Sequence, residues 1–123
     1  MILICKINSF SKFLSFYSFF SRLRVVSYNI LADGYASSTG ARETIYPYCP
    51  QDYIDHDYRR PLLFREILGY HADLILLQEC DTKLFERELS LVMKAHGYLG
   101  DYKIKSDNVQ EGEAIFYRKD RFK

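Results

Sequence analysis

Read along the chain, the elements fall in the order strand, helix, strand, helix, strand, strand, which predicts an α/β domain of the α+β type. Three observations carry that fold class. Ala72-Asp73-Leu74-Ile75-Leu76-Leu77 ends in four consecutive large aliphatics, too few for a free-standing helix and bracketed by two helical patterns; it predicts a strand buried on both faces. Val25-Val26-Ser27-Tyr28-Asn29-Ile30 is β-branched and aromatic and predicts a first strand from Arg24 to Ile30. Tyr102-Lys103-Ile104-Lys105 alternates, and Ala114-Ile115-Phe116-Tyr117-Arg118 follows it after a polar turn over Ser106 to Gly112, so two further strands close the chain.

Two helices separate these strands. Asp57 is the expected cap of the first, whose opening turn tolerates Pro61, whose Leu62, Leu63 and Ile67 are expected to face inward, and which ends near Gly69. Asp81 is the expected cap of the second, with Phe85, Leu89, Val92 and Met93 on one face and Gly97 as its stop. Between the first strand and the first helix lies a long loop, residues 32–57, rich in Gly, Ser, Pro, Tyr and Asp around Tyr46-Pro47-Tyr48-Cys49-Pro50. Loops of that length are binding loops or disordered segments, and the aromatics argue against simple disorder. Its tyrosines, Tyr48 among them, with Arg42, Arg59 and Arg60, have the chemistry to stack on bases and meet phosphates; the same residues are equally suited to packing the loop onto the domain.

The 123 residues leave room for one small domain. An apolar fraction of 48%, a charged fraction of 27% and a net charge of +1 are those of a soluble globular chain without a general affinity for polyanions, so any nucleic-acid contact must be local. Cys5, Cys49 and Cys80 are widely spaced, which gives neither a zinc motif nor a disulfide framework and points to a reducing, intracellular compartment. Residues 1–24 differ from the rest: Ser-rich, aromatic, basic and free of acids. This is the composition of a mitochondrial transit peptide, with Phe13, Phe16, Phe20 and Leu23 on one face if helical; an extraneous leader of no function is the competing reading. The stretch is not long or clean enough to span a bilayer. Residues 25–123 are then the domain.

Glu79 leaves the central strand immediately after its apolar core. A carboxylate there is costly unless it is exposed, paired or bound to a cation, which makes Glu79 a candidate metal ligand, although acidic residues at strand exits are more often structural or solvated. The histidines, His56, His71 and His96, fall in a loop, a turn and a helix end and read as surface residues.

Several blocks occur in a telling order: Ser27-Tyr28-Asn29-Ile30-Leu31-Ala32-Asp33, Tyr46-Pro47-Tyr48-Cys49, Asp57-Tyr58-Arg59-Arg60, Ala72-Asp73 with Leu77-Gln78-Glu79, and Glu111-Gly112 with Ala114, Phe116, Tyr117 and Arg118. Together they resemble the DNase I-like endonuclease/exonuclease/phosphatase superfamily, in its deadenylase-like branch, over Leu23 to Lys123. The resemblance implies the N-terminal part of a two-sheet β-sandwich flanked by helices, Mg²⁺ as cofactor, and hydrolysis of poly(A) or 2′,5′-oligoadenylate RNA by a 3′-to-5′ exoribonuclease or phosphodiesterase. By the same resemblance Glu79 is the metal ligand, Asn29 lies beside metal and phosphate, and Tyr48, Arg59 and Arg60 are candidate substrate contacts. These roles suit the chemistry: Mg²⁺ is usually held by one or two carboxylates plus water and phosphate oxygens, and an Asn orients a phosphate without adding negative charge. The resemblance also places the protein in the mitochondrial matrix, with the cytoplasm as alternative.

The family's Asp-x-Asn and Ser-Asp-His segments, which the resemblance assigns to water activation and to the phosphate, have no counterpart within these 123 residues. Efficient hydrolysis by the chain alone is therefore not expected, and apolar surface that the second sheet covers in the family is expected to be open. The rival readings are another phosphoesterase of the superfamily and a non-catalytic RNA- or protein-binding remnant.

Overall fold

The computed structural model describes residues 2–8, 22–106 and 108–122. Strand β1 (Ile2–Asn8) is followed by β2 (Arg22–Asn29), and the connection to the main helix holds a short α1 (Asp33–Ala36), a π-helical turn (Ala41–Ile45) and a short α2 (Gln51–Ile54). Helix α3 (His56–Gly69) leads to β3 (Leu74–Asp81). A helical stretch of α4 (Thr82–Leu84), a π-helical Phe85–Leu89 and α5 (Ser90–Ala95) then precedes β4 (Tyr98–Ile104) and β5 (Glu111–Arg118). The five strands form one sheet in the order β1-β2-β3-β5-β4. β2 and β3 are parallel, and every other neighbouring pair is antiparallel.

The parallel pair follows from the crossover through α3, which returns the chain to the same end of the sheet. One sheet face carries Val26, Ile75, Leu77, Ala114, Phe116 and Tyr98, all buried, under Ile67 of α3 and Leu84, Leu89 and Met93 of the second helical stretch. β3 alternates: Ile75, Leu77 and Cys80 are buried, whereas Leu74 and Leu76 on the other face are only half-buried. The expectation of burial on both faces is thus corrected, because helices cover one side alone. The other face presents Leu23, Val25, Leu74 and Leu76 half-buried, with Leu99 and Ile115 exposed, in line with the open apolar surface expected from the sequence.

Helix boundaries shift for local reasons. Asp55, not Asp57, caps α3: its side chain accepts from Asp57 N at 2.8 Å. Pro61 therefore sits inside the helix rather than in its first turn, and Leu62 points outward at 47% exposure. Asp81 precedes α4 in extended backbone but makes no capping bond there; its Oδ2 instead accepts from Asp33 N at 3.0 Å. Gly97 ends the second helical stretch with φ +86, a conformation that side chains rarely adopt. Gly112 is required by proximity, since a Cβ there would lie 2.2 Å from the Lys103 carbonyl oxygen on β4.

Within the stretch assigned to a leader, Ile2–Asn8 pairs with β2 from Ile2↔Tyr28 to Asn8↔Arg22, and β2 itself begins at Arg22, so the 24/25 boundary falls inside a strand. The apolar helical face expected at Phe13, Phe16 and Phe20 lies outside the described residues.

Phe116 is 1% exposed at the centre of the helix-covered face, within 5.7 Å of the Phe85 ring. Phe116→Ala is expected to cost about 3–5 kcal/mol, a large part of a small domain's stability. Urea unfolding measures it, and a loss below about 1 kcal/mol would contradict this core.

Candidate metal and phosphate site

The parallel register places Asn29, the last residue of β2, opposite Gln78 of β3, and Ile30 N continues the ladder to Gln78 O at 3.0 Å. β3 then departs from regular pairing with β5. Between the pairs Leu77↔Ala114 and Cys80↔Gly112, two residues of β3, Gln78 and Glu79, face the single Glu113. This is a β-bulge, and Glu79 takes φ +53 within it. A non-glycine residue in the left-handed region costs on the order of 1–3 kcal/mol and persists only where its surroundings impose it. The bulge turns the Glu79 side chain toward the end of β2.

There Asn29 Nδ2 donates to Glu79 Oε1 at 2.6 Å, and Ala32 N approaches Oε2 at 3.4 Å. Asn29 Oδ1 accepts from Leu31 N at 2.9 Å, an Asx-type turn that bends the chain after β2 and coincides with φ +60 at Leu31. One amide thus fixes the loop through its oxygen and the carboxylate through its nitrogen.

The bend is braced from α3. Arg59 Nη1 donates to Leu31 O at 2.9 Å and to Ile30 O at 3.3 Å, Nε donates to Ile54 O at 2.8 Å, and Nη2 lies 3.8 Å from Asp33 Oδ1. Beneath it, Tyr28 Oη donates to Glu66 Oε2 at 3.0 Å, and Tyr70 Oη donates to Oε1 of the same carboxylate. Further along the rim, Asp81 accepts from Asp33 N, and Glu111, 4% exposed, accepts from Tyr35 Oη at 3.1 Å and from Lys105 Nζ at 3.0 Å. Burial, with Asp33 adding to it, pushes the Asp81 carboxyl above the usual carboxylate range, against the backbone N–H of Asp33. A cavity of about 270 Å³ opens between Asp33, His56, Asp81, Lys83 and Gln110. The Cys80 thiol beside the bulge is buried, and that burial pushes it up to about 12, which keeps it protonated and inert.

Of the residues expected from the sequence, the structure brings Asn29 and Glu79 together. Arg59 stands close by, but its guanidinium is directed to backbone carbonyls, which makes it a brace rather than a substrate contact. Arg60 pairs with Glu88 at 2.8 Å and Asp57 at 3.3 Å. Tyr48 is 97% exposed on the loop and has no hydrogen-bond partner among the described residues. Asp33 and Glu111 lie within the blocks quoted from the sequence and Asp81 was expected only as a helix cap; the bonds of Asp81 to Asp33 N and of Glu111 to Tyr35 depend on tertiary folding. Among the described residues no group of three or more His, Cys, Asp and Glu side chains is arranged to hold a metal ion. The donor set at the corner is one carboxylate beside one amide, which fits a hard cation completed by water and phosphate oxygens and does not fit a closed protein cage.

With this geometry in place, the similarity to known proteins can be read. The chain is 46% identical over 103 residues to 2′,5′-phosphodiesterase 12 of Mus musculus, covering 84% of this chain and 16% of that protein. It is 43% identical over 105 residues to carbon catabolite repressor protein 4 homolog 1 of Arabidopsis thaliana, covering 80% of this chain and 17% of that protein. Among solved structures, ANGEL2, a 2′,3′-cyclic phosphatase in complex with adenosine-2′,3′-vanadate, superposes with a TM-score of 0.70 at 25% identity, over 80% of this chain and 28% of that one. The human Nocturnin catalytic domain shares the fold, with a TM-score of 0.57 at 24% identity, over 82% of this chain and 34% of that one. No protein-family model matches the chain. The sheet and its flanking helices are those of a DNase I-like domain. More narrowly, the chain belongs to the deadenylase-like branch of the endonuclease/exonuclease/phosphatase superfamily, among whose relatives here one is named a 2′,5′-phosphodiesterase and another a 3′-5′-exoribonuclease subunit. It spans about 16% of the length of the curated relatives first matched.

The Tyr28–Glu66–Tyr70 cluster supports the end of β2, and it titrates. The Tyr28 hydroxyl is raised to about 12, first by burial and then by its bond to Glu66, and Tyr70 is raised to about 12, first by that bond. Because the folded values lie above the unfolded value of about 10, their stabilisation is complete below pH 10 and is lost as pH rises through 12. Replacing Glu66 by Gln removes the carboxylate that both hydroxyls share. Glu66→Gln is therefore expected to lower the pH at which two tyrosines ionise, read by tyrosinate absorbance; an unchanged alkaline titration would contradict the cluster.

Proposed function

We propose that this chain supplies the N-terminal, Asn29–Glu79 part of the phosphate site of a Mg²⁺-dependent phosphodiesterase, a 3′-to-5′ exoribonuclease of the deadenylase type acting on poly(A) or 2′,5′-oligoadenylate. The observation that carries it is the Asn29 Nδ2 to Glu79 Oε1 contact of 2.6 Å, held by a bulge in which Glu79 has φ +53. Bulges and left-handed side-chain residues gather at functional sites because nothing in simple sheet packing rewards them.

Glu79 is the residue that would hold the ion, and Asn29 would orient a phosphate oxygen or water beside it. A bound Mg²⁺ supplies positive charge to polarise the phosphoryl oxygen and steady the leaving oxyanion. Ala32 N adds a backbone donor at the same corner, and Arg59 keeps the bend that presents it. Tyr48 and Arg60, on the loop and helix beyond, are proposed to meet the RNA, Tyr48 by stacking on a base. The relatives support the substrate class: one is named 2′,5′-phosphodiesterase 12, and another is the CCR4-Not complex 3′-5′-exoribonuclease subunit Ccr4 of Saccharomyces cerevisiae, 34% identical over 108 residues.

The test is a chimera in which this chain's residues 23–123 replace the matching part of the phosphodiesterase 12 relative, assayed on oligoadenylate with Mg²⁺. Turnover is expected, and Glu79→Ala in the chimera is expected to reduce kcat by at least about a hundredfold. Near-normal turnover of that variant would overturn the assignment. The 123-residue chain alone, which carries no counterpart of the family's water-activating Asp segment, is expected to hydrolyse oligoadenylate at least about a hundredfold more slowly than the chimera.

For location, we propose the mitochondrial matrix, on the acid-free, Ser-rich, basic composition of residues 1–24. Among the described residues no helix is long and apolar enough to cross a membrane. A removable presequence and a retained β1 exclude one another, since cleavage near residue 24 would take Ile2–Asn8 away from the edge of β2. Mass spectrometry of the mature N-terminus decides the point: a processed end is expected, and an intact Ile2–Asn8 segment on the mature protein would overturn the presequence.

A further inference from the structure

At the end of the sheet remote from Asn29 and Glu79, the starts of β2 and β3 and the end of β5 converge on a basic pole. A cavity of about 290 Å³ is lined by Arg22, Arg24, Arg118 and Arg121 together with His71 and Asp73. A second cavity of about 380 Å³ shares His71 and Arg118 and extends to His96. Among the described residues four guanidinium groups stand against the two carboxylates of Asp73 and Asp120, an excess of two positive charges within this set before any histidine is protonated. The opposite rim carries Asp33, Glu79, Asp81 and Glu111, largely offset by Arg59, Lys83 and Lys105, so the excess of positive charge belongs to this pole.

Three of the four arginines are already held in place. Arg24 Nη1 donates to Tyr70 O at 2.6 Å. Arg121 Nη1 pairs with Asp73 Oδ1 at 2.6 Å while Nη2 donates to Arg22 O at 3.0 Å. Arg118 makes a two-pronged pair with Asp120 through Nε at 3.0 Å and Nη2 at 2.6 Å. The Arg22 side chain has no hydrogen-bond partner among the described residues. Each guanidinium carries five N–H donors in a rigid fork, so the single carbonyl held by Arg24 and the single carboxylate held by Arg118 do not exhaust them. Heads fixed in this way lose less rotamer freedom on binding, and the fork matches the oxygens of a phosphate.

We propose that this pole is a second phosphate-binding site, which takes backbone phosphates of a single-stranded RNA held remotely from the Asn29–Glu79 corner. The proposal rests on the reading above that the substrate is RNA. From Asp73 to Glu79 the strand runs six residues, roughly 20 Å, so one RNA reaching both sites spans several nucleotides. The pole therefore adds affinity for long strands and none for the shortest.

The experiment uses the whole 123-residue chain in EDTA, with a labelled twenty-nucleotide oligoadenylate followed by fluorescence anisotropy across a salt series. The double variant Arg22→Gln/Arg118→Gln is the probe, because both side chains are solvent-accessible and neither pairs with buried Asp73; circular dichroism checks its fold. Wild type is expected to bind with a steep salt dependence, and the variant's slope of log Kobs against log salt is expected to be shallower by about 1.4, at about 0.7 for each of two single-strand phosphate contacts. A trinucleotide is expected to bind both proteins alike. Equal slopes and affinities for the long strand would overturn the proposal, as would absence of wild-type binding. Displacement of the RNA by inorganic phosphate, where chloride of equal ionic strength has no effect, would assign the pole to free phosphate and overturn the RNA source. The catalytic reading is judged separately by Glu79→Ala in the chimera: loss of turnover there with unaltered binding here leaves that reading standing and removes this one.

Discussion

The parallel pairing of β2 with β3 sets where everything else can be. Its register runs from Val25↔Leu74 to Asn29↔Gln78, so the two strands finish side by side and leave the sheet at the same end. Parallel neighbours need a crossover, and α3 provides it, packing Ile67 onto the face that carries Val26 and Ile75. Hydrophobic burial on that face fixes the register, because a slip by one residue would turn Ile75 and Leu77 outward and bring Leu74 and Leu76 in. The polar corner inherits its geometry from this apolar constraint.

At the corner, regular pairing is given up. One extra residue in β3 and a left-handed Glu79 would be a cost without return in a plain sheet, yet Asn29, Ala32 and the Arg59 brace all converge to hold them. Arg59 links this corner to the long connection, since the same guanidinium that bonds the Ile30 and Leu31 carbonyls also bonds Ile54 of α2. The short helical turns of residues 33–54 are therefore tied to the site at both ends, by Asp33 N to Asp81 and Tyr35 to Glu111 at the start and by Ile54 O to Arg59 at the finish, while Ile45 and Tyr48 between them are exposed. Such an arrangement gives a loop freedom at its tip, where Tyr48 sits, and a fixed anchor at its base.

Charge is distributed along the strands in the same sense. Where β2 and β3 end, four carboxylates stand among Arg59, Lys83 and Lys105; where they begin, four guanidiniums stand around Asp73 and Asp120. Buried Asp73 organises the basic end: it accepts from Arg24 N at 2.7 Å, pairs with Arg121, and its own N–H returns a bond to Arg24 O at 2.8 Å. Satisfied on every side, it stabilises the start of both parallel strands while arranging arginines around them. The uncovered sheet face, with Leu99 at 43% and Ile115 at 37% exposure, lies between the two poles. The relatives are several times longer than this chain, and a sheet with one bare apolar face suits a segment of a larger fold.

The sequence by itself determined the four strands and two helical stretches from β2 onward, with their order, and singled out Asn29 and Glu79; it missed β1, which exists as a strand only through its pairing with β2, and the short helical turns of residues 33–54. Hydrophobic period, β-branched runs and Gly97 are local signals, and the ordered blocks placed the chain in its family. It was less informative where the answer depends on partners far along the chain. Asp81 has the sequence context of a helix cap, yet Asp33, brought near by the sheet, offers a backbone N–H that its carboxylate bonds instead; Asp55 meanwhile takes the cap expected of Asp57. The Glu79 bulge is invisible in the spacing Leu77-Gln78-Glu79-Cys80, because a bulge is a mismatch in count between two strands and only pairing with β5 creates it. The basic pole is likewise absent from any sequence window: Arg22, Arg24, Arg118 and Arg121 become neighbours only when antiparallel β5 ends beside the starts of β2 and β3. Local chemistry writes the elements, and long-range pairing decides which side chains meet.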